Sequence, residues 1–241
     1  MSTRSRVIVI RRRWSSPVQL AVLDLAGTTM ADDGLVLAGL RAGLRAAGVR
    51  VDGPCYPALD RQARATMDRP VMTVLGELLD GDMYRARRAH SAFADHLHAA
   101  LDAGRVRPVP GAAQTLDALR DAGLSVALTC GFDPELRDRL VSALGFTERA
   151  DMVLSPADVD GRGLPEPDLL HAAARRAGTE PSQVAVAGDA TADIDAAVRA
   201  GAGLAVGVRG GAHGEPRLRA AGADAVIDSV ADLPALLGLP S

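Results

Sequence analysis

Acidic and hydroxyl residues follow an apolar segment near the start of this sequence. Residues 18–23 suit a buried strand, and Asp24 comes where that strand should end. The chain then turns through Gly27 into the hydroxyl residues Thr28 and Thr29. An acid at the carboxyl end of a parallel strand faces the crevice where open α/β sheets bind ligands. It can serve there as a nucleophile toward phosphorus or as a metal ligand. The same residues also fit a strand followed by an ordinary turn that contains aspartate.

Two later apolar segments end in residues of the same kind. Thr129 ends one of them, Asp189 follows another, and Asp193 lies four positions after Asp189. The two acids straddle a predicted strand-to-helix turn and can both face one ion. Mg²⁺ prefers hard oxygen ligands and commonly takes one or two carboxylates together with phosphate oxygens. With Asp24, these residues predict a Mg²⁺ site, in which the cation would relieve the repulsion among three carboxylates.

The residues around Thr129 predict a phosphate site. Its hydroxyl can donate to a phosphate oxygen, and the amides that follow it add donors at a helix N-terminus. Each residue also has a purely structural explanation. Thr129 can satisfy local backbone groups, and Asp193 can favour a helix N-terminus through the helix dipole. It is their joint occurrence at successive strand ends that favours a ligand site.

The composition excludes several classes of protein and of mechanism. Of the 241 residues, 48% are hydrophobic and 24% are charged, which is ordinary for a globular protein. The chain contains no lysine, so a lysine Schiff base is excluded. The formal charge of -3 gives no overall attraction to nucleic acid or to an anionic membrane. No apolar run reaches the ~18 residues of a spanning helix. The two cysteines, Cys55 and Cys130, form no disulfide framework. We therefore predict that the protein resides in a reducing cytoplasm.

The chain divides into an extension, an interrupted core and a helical insertion. Residues 1–17 carry an arginine cluster and are predicted to be a solvated extension, although the cluster could contact an anionic partner. Over residues 34–105, strand signals vanish and apolar residues recur at helical spacing. Apolar strands alternate with amphipathic helices over the rest of the chain. We predict a Rossmann-like, doubly wound, mostly parallel α/β sheet from residues 18–33 and 106–241, with an inserted α-helical cap at residues 34–105.

The motifs at the strand ends together resemble the haloacid dehalogenase (HAD) superfamily. They are Asp24-Leu-Ala-Gly-Thr-Thr, Thr129-Cys-Gly-Phe and Gly188-Asp-Ala-Thr-Ala-Asp193. The resemblance covers nearly all of residues 18–237, including a helical cap between the first motif and the second. Ala26 with Gly27-Thr28-Thr29 is most similar to the phosphonatase branch, whose reference enzyme is phosphonoacetaldehyde hydrolase.

This resemblance implies a Mg²⁺-dependent hydrolase. Asp24 would be the nucleophile that forms an aspartyl-phosphate, and Thr129 would act beside it. The implied ligands of Mg²⁺ are Asp24, the backbone carbonyl of Ala26, Asp189 and Asp193. The implied phosphate-binding residues besides Thr129 are Gly27, Thr28, Cys130 and Gly131.

Two positions depart from the family pattern in a way that bears on the reaction. HAD phosphatases carry a second aspartate where this chain has Ala26, and a general acid of that kind is typically worth ~10²–10⁴-fold in rate. Phosphonatases lack this acid but use a lysine of the cap. The matching segment is Met67-Asp-Arg-Pro-Val71, so the lysine position is Val71, and a nearby family histidine falls on Val74. The imine route to cleavage of phosphonoacetaldehyde is therefore excluded.

A third departure concerns a basic residue of the superfamily. This residue normally precedes a Pro-x-Pro-Asp segment, but here Leu164 precedes that segment and Arg162 lies two residues earlier. Arg162 would have to swing toward Asp24 to offset the charge of the phosphate. If it cannot, one cation of the site is missing.

Several further residues are candidates for contact with the substrate. Met67 and Arg69 of the predicted cap could face it, and Arg69 could pair with an anionic group. An exposed arginine on a helix explains Arg69 equally well. Cys130 lies beside the phosphate loop without a paired base, which favours a structural thiol.

Three functions fit the sequence. The first is a cytoplasmic, Mg²⁺-dependent hydrolase of a small phosphorylated or phosphonate metabolite, acting through Asp24. The second is a specialised phosphonatase-like enzyme that breaks another bond or takes a substrate whose leaving group needs no proton. The third is a non-catalytic binding protein that retains the fold. The cap helices could also pair two protomers into a homodimer, but packing of cap on core explains their apolar faces as well.

Overall fold

The centre of the protein is one mostly parallel sheet. A computed structural model describes residues 8–9, 17–66 and 69–239. The strands are β1 (Ile8–Val9), β2 (Leu20–Asp24), β3 (Ser125–Thr129), β4 (Met152–Leu154), β5 (Val184–Gly188), β6 (Leu204–Val208) and β7 (Ala225–Ile227). Within the described residues they form a seven-stranded sheet in the order β1-β7-β6-β5-β2-β3-β4. Every neighbouring pair is parallel except β1 with β7. The predicted fold class is confirmed.

Helices connect the strands and form the long insertion. The helices are α1 (Leu35–Ala46), α2 (Tyr56–Thr66), α3 (Val71–Leu78), α4 (Met83–Asp102), α5 (Ala112–Asp121), α6 (Pro134–Ala143), α7 (Asp168–Ala177), α8 (Thr191–Ala200), α9 (Glu215–Ala221) and α10 (Leu233–Leu236). Helices α1 to α4 follow one another with no strand between them in the described part of residues 34–105. We call these four helices the helical segment. Their bounds agree with the helical spacing in the sequence.

Strand β2 lies at the point in the sheet where the order in which the chain adds strands reverses. From β2 the chain adds β3 and β4 on one side, and β5, β6 and β7 on the other. A reversal of this kind opens a crevice at the carboxyl ends of the strands, where α/β sheets bind ligands. The register places Asp24 beside Thr129 and ends β5 at Gly188, just before Asp189. The strands thus bring the predicted acids to one edge of the sheet.

Local sequence signals set the ends of the helices around this edge. Asp82 accepts hydrogen bonds from the backbone N–H groups of Tyr84 and Arg85 and so begins α4. Asp133 does the same for α6 by accepting from Leu136, and Pro134 takes the first helical position, where it needs no donor.

The core has a part on each face of the sheet, because the side chains of β2 alternate between faces. Ala21 and Leu23 belong to one apolar cluster, and Leu20 and Val22 to the other. The first cluster also contains side chains of the helical segment, including Phe93. Burial therefore couples the helical segment to the sheet directly.

The N-terminal extension differs from its prediction at one point. Ile8 and Val9 pair with Val226 and Ala225, so that β1 lies at the edge of the sheet. Backbone pairing is available there because β7 would otherwise be an edge strand. The other residues of the predicted extension before residue 17 lie outside the described residues. Of the helices that the structure describes, none combines the length and hydropathy needed to cross a membrane.

Candidate active site

Asp24 and Thr129 end the two central strands side by side. The register pairs them, and the N–H of Leu25 donates to the Thr129 carbonyl at 2.9 Å. The Thr29 hydroxyl donates to the Asp24 carbonyl at 2.9 Å and closes the turn after β2. Thr129 is buried and Asp24 is half-buried. The predicted nucleophile and its hydroxyl neighbour therefore share one small region of the sheet edge.

Asp189 is held by donors on both of its carboxylate oxygens. The Thr28 hydroxyl donates to Oδ1 at 2.9 Å, and the N–H of Ala212 donates to Oδ2 at 2.6 Å. Thr28 and Asp189 are both buried, so this contact fixes the turn after β2 against the end of β5. The two donors also fix the orientation of the Asp189 carboxylate.

Glycines lie next to the carboxylates of Asp189 and Asp193, because a Cβ at these positions would clash with the carboxylates. A Cβ on Gly27 would lie 2.4 Å from Asp189 Oδ2, and a Cβ on Gly211 would lie 1.8 Å from the same atom. Gly27 also has a φ of +93°, which side chains rarely adopt. A Cβ on Gly188 would lie 2.2 Å from Asp193 Cγ. The backbone therefore closes around both carboxylates.

The carboxylate of Asp193 has a structural role in the first turn of α8. Its Oδ2 accepts from the N–H of Ala190 at 3.1 Å, which satisfies a donor at the helix start. No group of three or more His, Cys, Asp or Glu side chains is arranged to hold a metal among residues 8–9, 17–66 and 69–239. The role of Asp193 as a third ligand stays a prediction.

A small cavity surrounds Asp24. Its volume is about 30 Å³. The residues that line it are Asp24, Ala26, Val36, Val71, Cys130, Gly131, Phe132, Asp189 and Ala212. Val36 and Val71 come from the helical segment, and the N–H of Val71 donates to the Gly131 carbonyl at 3.3 Å. The helical segment therefore contributes apolar side chains to the cavity that Asp24 lines.

A larger cleft of about 550 Å³ adjoins this cavity. Ala26, Asp189 and Ala212 line both spaces, so the cleft begins where the cavity ends. The charged side chains along the cleft are Asp32, Asp33, Arg64, Asp189, Arg209 and Asp228.

The donor chemistry at the cavity fits Mg²⁺. Asp24 and Asp189 contribute two carboxylates to one space, and Ala26 of the same turn lines it too. Mg²⁺ is commonly held by one or two carboxylates and keeps several water or phosphate oxygens. The backbone at Gly27 and Gly211 approaches the Asp189 carboxylate so closely that a Cβ at either position would clash with it. The role of the Ala26 carbonyl as a ligand stays a prediction.

Cys130 lies in the same cavity and keeps its proton. Burial raises the pKa of its thiol from the ordinary 9.0 to about 12. The thiolate is the reactive form, so this side chain is not a nucleophile near neutral pH. The finding agrees with the interpretation of Cys130 as a structural thiol.

Two predicted basic residues have partners away from the cavity. Arg162 has an exposed side chain and pairs with Asp168 at 2.8 Å. The guanidinium of Arg69 donates to both carboxylate oxygens of Glu77, at 2.9 and 2.7 Å. Neither arginine lines the cavity around Asp24. Their roles toward the phosphate and the substrate stay predictions, and Met67 lies outside the described residues.

The loop after β6 is part of the site and was missed by the sequence interpretation. Ala212 donates to the Asp189 carboxylate, and the N–H of His213 donates to the Asp189 carbonyl at 3.1 Å. His213 is buried, and its Nδ1 accepts from the N–H of Thr191 at 2.9 Å. The signal was available, since Gly210 and Gly211 also follow a predicted strand end.

Comparison with known proteins agrees with this architecture. A family model described as haloacid dehalogenase-like hydrolase matches residues 18–201. The probable phosphatase IndB of Dickeya dadantii is 27% identical over 220 residues, which cover 89% of this chain and 91% of that protein. The N-acetylmuramic acid 6-phosphate phosphatase of Pseudomonas aeruginosa is 30% identical over 127 residues, covering 53% of this chain and 56% of that protein. This chain thus spans little more than half the length of the Pseudomonas aeruginosa phosphatase.

The fold itself recurs among solved structures. The crystal structure of a hydrolase from Pseudomonas syringae aligns with a TM-score of 0.79 and 23% identity, over 91% of this chain and 98% of that one. The family match covers most of the chain, including all three strand-end motifs. The chain therefore belongs to the haloacid dehalogenase-like hydrolase family.

Proposed function

We propose that this hydrolase removes phosphate from a small phosphorylated metabolite, with Asp24 as the nucleophile. The observation that carries the proposal is the placement of Asp24 in one cavity with Asp189, at the point where the sheet order reverses. Relatives named as phosphatases support it. The chemistry would proceed by displacement at phosphorus followed by hydrolysis of the enzyme intermediate.

In the first step a carboxylate oxygen of Asp24 attacks phosphorus. The bond between phosphorus and the leaving oxygen breaks, and that oxygen keeps the bonding electron pair. The product is an aspartyl-phosphate on Asp24. Water then attacks the phosphorus of this intermediate, which releases inorganic phosphate and restores the carboxylate.

The residues around Asp24 would hold the transferred phosphoryl group. The Thr129 hydroxyl and the backbone N–H groups near Gly131 would donate to its oxygens, because such donors stabilise charge that develops during transfer. Mg²⁺, when bound by Asp24 and Asp189, would neutralise part of that charge. Thr28 and Ala212 hold Asp189 in place for this purpose.

The helical segment would act as a cap that excludes bulk water. Val36 and Val71 close the cavity above Asp24, and Phe132 closes it from the core. A closed, apolar site strengthens the electrostatic contacts inside it. Opening of the cap would admit substrate and release phosphate. We also propose that the enzyme acts in the cytoplasm.

Ala26 favours a second candidate, an enzyme of phosphonatase type with altered chemistry. Ala26 lines the cavity, as the resemblance to that branch implies. Val71 lines the same cavity as Asp24, at the position that the comparison of motifs assigns to the lysine, and the chain has no lysine at all. A carbon–phosphorus bond would therefore need a substrate that stabilises its own leaving carbanion.

Asp24→Asn tests the nucleophile. We expect it to lower phosphate release from a panel of phosphate monoesters and phosphonates by on the order of 10³-fold or more, since no oxygen nucleophile remains. Asp138→Asn serves as the matched control, because Asp138 is an exposed acid of α6. Circular dichroism would check that both variants fold. Activity that survives in Asp24→Asn would contradict the proposal, and binding of esters without any turnover would favour a non-catalytic protein.

A further inference from the structure

The cavity around Asp24 offers few groups that could protonate a leaving oxygen. Its described lining contains three ionisable side chains, namely Asp24, Asp189 and Cys130. Asp24 is the proposed nucleophile, and the oxygens of Asp189 accept hydrogen bonds from Thr28 and Ala212. The Cys130 thiol is a weak acid because burial raises its pKa to about 12. The remaining residues that line the cavity have apolar side chains or, at Gly131, no side chain.

The adjoining cleft does not supply a free acid either, as far as its described lining shows. Asp32 accepts from the backbone N–H groups of Gly34 and Val36 at the start of α1. The Asp33 carboxylate accepts from Arg107 at 2.8 and 3.0 Å. Both carboxylates are thus engaged as hydrogen-bond acceptors in this structure.

The other charged side chains along the cleft also have hydrogen-bond or ion-pair partners. Arg209 donates to Asp228 at 2.6 Å and also pairs with Glu215. Arg64 donates to Asp60 at 2.8 Å. Arginine does not release its proton in proteins. The cleft can therefore hold a leaving group without supplying it with a proton.

Ala26 lies at the position where a proton donor would be needed. Ala26 lines both the cavity and the cleft, together with Asp189 and Ala212. A group that links phosphorus at Asp24 to the cleft would pass between these three residues, and Ala26 is the one of them in the turn after Asp24. A methyl side chain there can contact the leaving oxygen but cannot protonate it. General acid help of this kind is typically worth ~10²–10⁴-fold in rate.

We infer that this site selects phosphate compounds whose leaving group departs as a stable anion, such as acyl, enol or aryl phosphates, over simple alkyl phosphates. The inference rests on the proposed function at Asp24. The Asp24 oxygen forms its bond to phosphorus while the phosphorus–oxygen bond breaks. The electron pair stays on the leaving oxygen, which departs as a carboxylate, enolate or phenolate and takes a proton later from solvent.

The test is the dependence of kcat/KM on the leaving group, because kcat/KM reports the first phosphoryl transfer even if hydrolysis of the intermediate limits kcat. The series comprises acetyl phosphate, 4-nitrophenyl phosphate, phenyl phosphate and glycerol phosphate. We expect kcat/KM to fall steeply along this series as the leaving group becomes more basic. A dependence that is shallow would overturn the inference even though phosphate release still required Asp24. No release from any compound would overturn the proposed function as well.

Two substitutions at residue 26 separate proton donation from size. Ala26→Asp introduces a carboxyl group at the junction of cavity and cleft, and we expect it to raise kcat/KM for glycerol phosphate relative to 4-nitrophenyl phosphate by about 10²-fold. Ala26→Asn has nearly the same volume but cannot donate a carboxyl proton, so the ratio should stay near that of the wild type. An equal change in both variants would overturn the inference. If Ala26→Asp does not fold, the wild-type series still decides the question.

Asp68 lies between Met67 and Arg69, two candidates for substrate contact, and is outside the described residues. It is therefore the acid that needs a control of its own. Asp68→Asn is measured on the same series of phosphate compounds. The inference expects a steep dependence in both the wild type and this variant. A shallow dependence in the wild type that becomes steep in Asp68→Asn would overturn it, because Asp68 would then supply the proton.

Discussion

Burial decides the chemical character of the individual side chains at this site. Cys130 has a thiol next to the proposed nucleophile, yet its surroundings keep it neutral and unreactive. Asp189 is equally buried but receives donors on both oxygens. Removal from water disfavours the charged form of a group, whereas hydrogen bonds to that form favour it. The Cys130 thiol keeps its proton because burial raises its pKa more than the backbone hydrogen bond from Phe132 lowers it.

The raised pKa of Cys130 predicts a loss of stability in alkali. Between pH 9 and pH 12 the unfolded thiol loses its proton while the folded thiol keeps it, so the unfolded state gains free energy by ionising. From pH 8 to pH 10 we expect the free energy of unfolding to fall by about 1.4 kcal/mol more in the wild type than in Cys130→Ala. Urea unfolding at the two pH values measures this difference. Equal falls in both proteins would show that the thiol titrates normally when folded.

At the scale of elements, the loop between β6 and α9 completes the site that the strand ends begin. Its backbone approaches Asp189 so closely that residue 211 must lack a Cβ. The loop donates Ala212 N–H to the carboxylate and His213 N–H to the carbonyl of the same residue. Three separate connections, after β2, β5 and β6, are therefore fixed to one another through a single acid.

Gly211→Ala should disturb this arrangement more than a similar change nearby. The new Cβ would lie 1.8 Å from Asp189 Oδ2, so the loop or the carboxylate must move. We expect a loss of kcat/KM of at least about 10²-fold, since small displacements of positioning groups can have that effect. Gly214→Ala is the matched control, because its Cβ would meet only Pro216 at 3.8 Å. Steady-state kinetics of both variants would check the prediction, and equal activities would contradict it.

At the scale of the whole molecule, the helical segment and the sheet share one apolar cluster. Phe93 of α4 lies with its ring centroid 6.1 Å from that of Phe132, which lines the cavity from the core. Phe93 is almost fully buried. The packing that stabilises the helical segment therefore also supports the loop that carries Cys130 and Gly131.

Phe93→Ala should reduce stability and activity together. Removal of a fully buried phenylalanine side chain typically lowers the free energy of unfolding by about 3–5 kcal/mol. Phe93→Leu keeps most of the apolar volume and should lower it by less than about 1.5 kcal/mol. Denaturant unfolding measures both values, and kinetics at low temperature would show whether Phe132 still closes the cavity. Similar small losses of unfolding free energy in the two variants would contradict the prediction and would mean that the helical segment and the sheet unfold independently.

The sequence by itself determined the fold class, the helical segment and the strand ends that carry Asp24, Thr129 and Asp189. It could do so because apolar strands and amphipathic helices have different periods, and because parallel strands end at a common edge. The resemblance of the motif around Asp24 to the HAD superfamily identified Ala26 as the position without an acid. These features depend on neighbours along the chain.

The tertiary structure decided which of those side chains meet. Asp193 turns to its own helix start, Arg162 pairs with Asp168, and Arg69 pairs with Glu77. The loop around Ala212 joins the site through backbone N–H groups, which any residue type except proline could provide. Local periodicity places a residue on an element, but side-chain direction and long-range backbone contacts depend on how separate elements pack. That is the physical reason why the sequence identified the candidate nucleophile, whereas only the structure revealed what surrounds it.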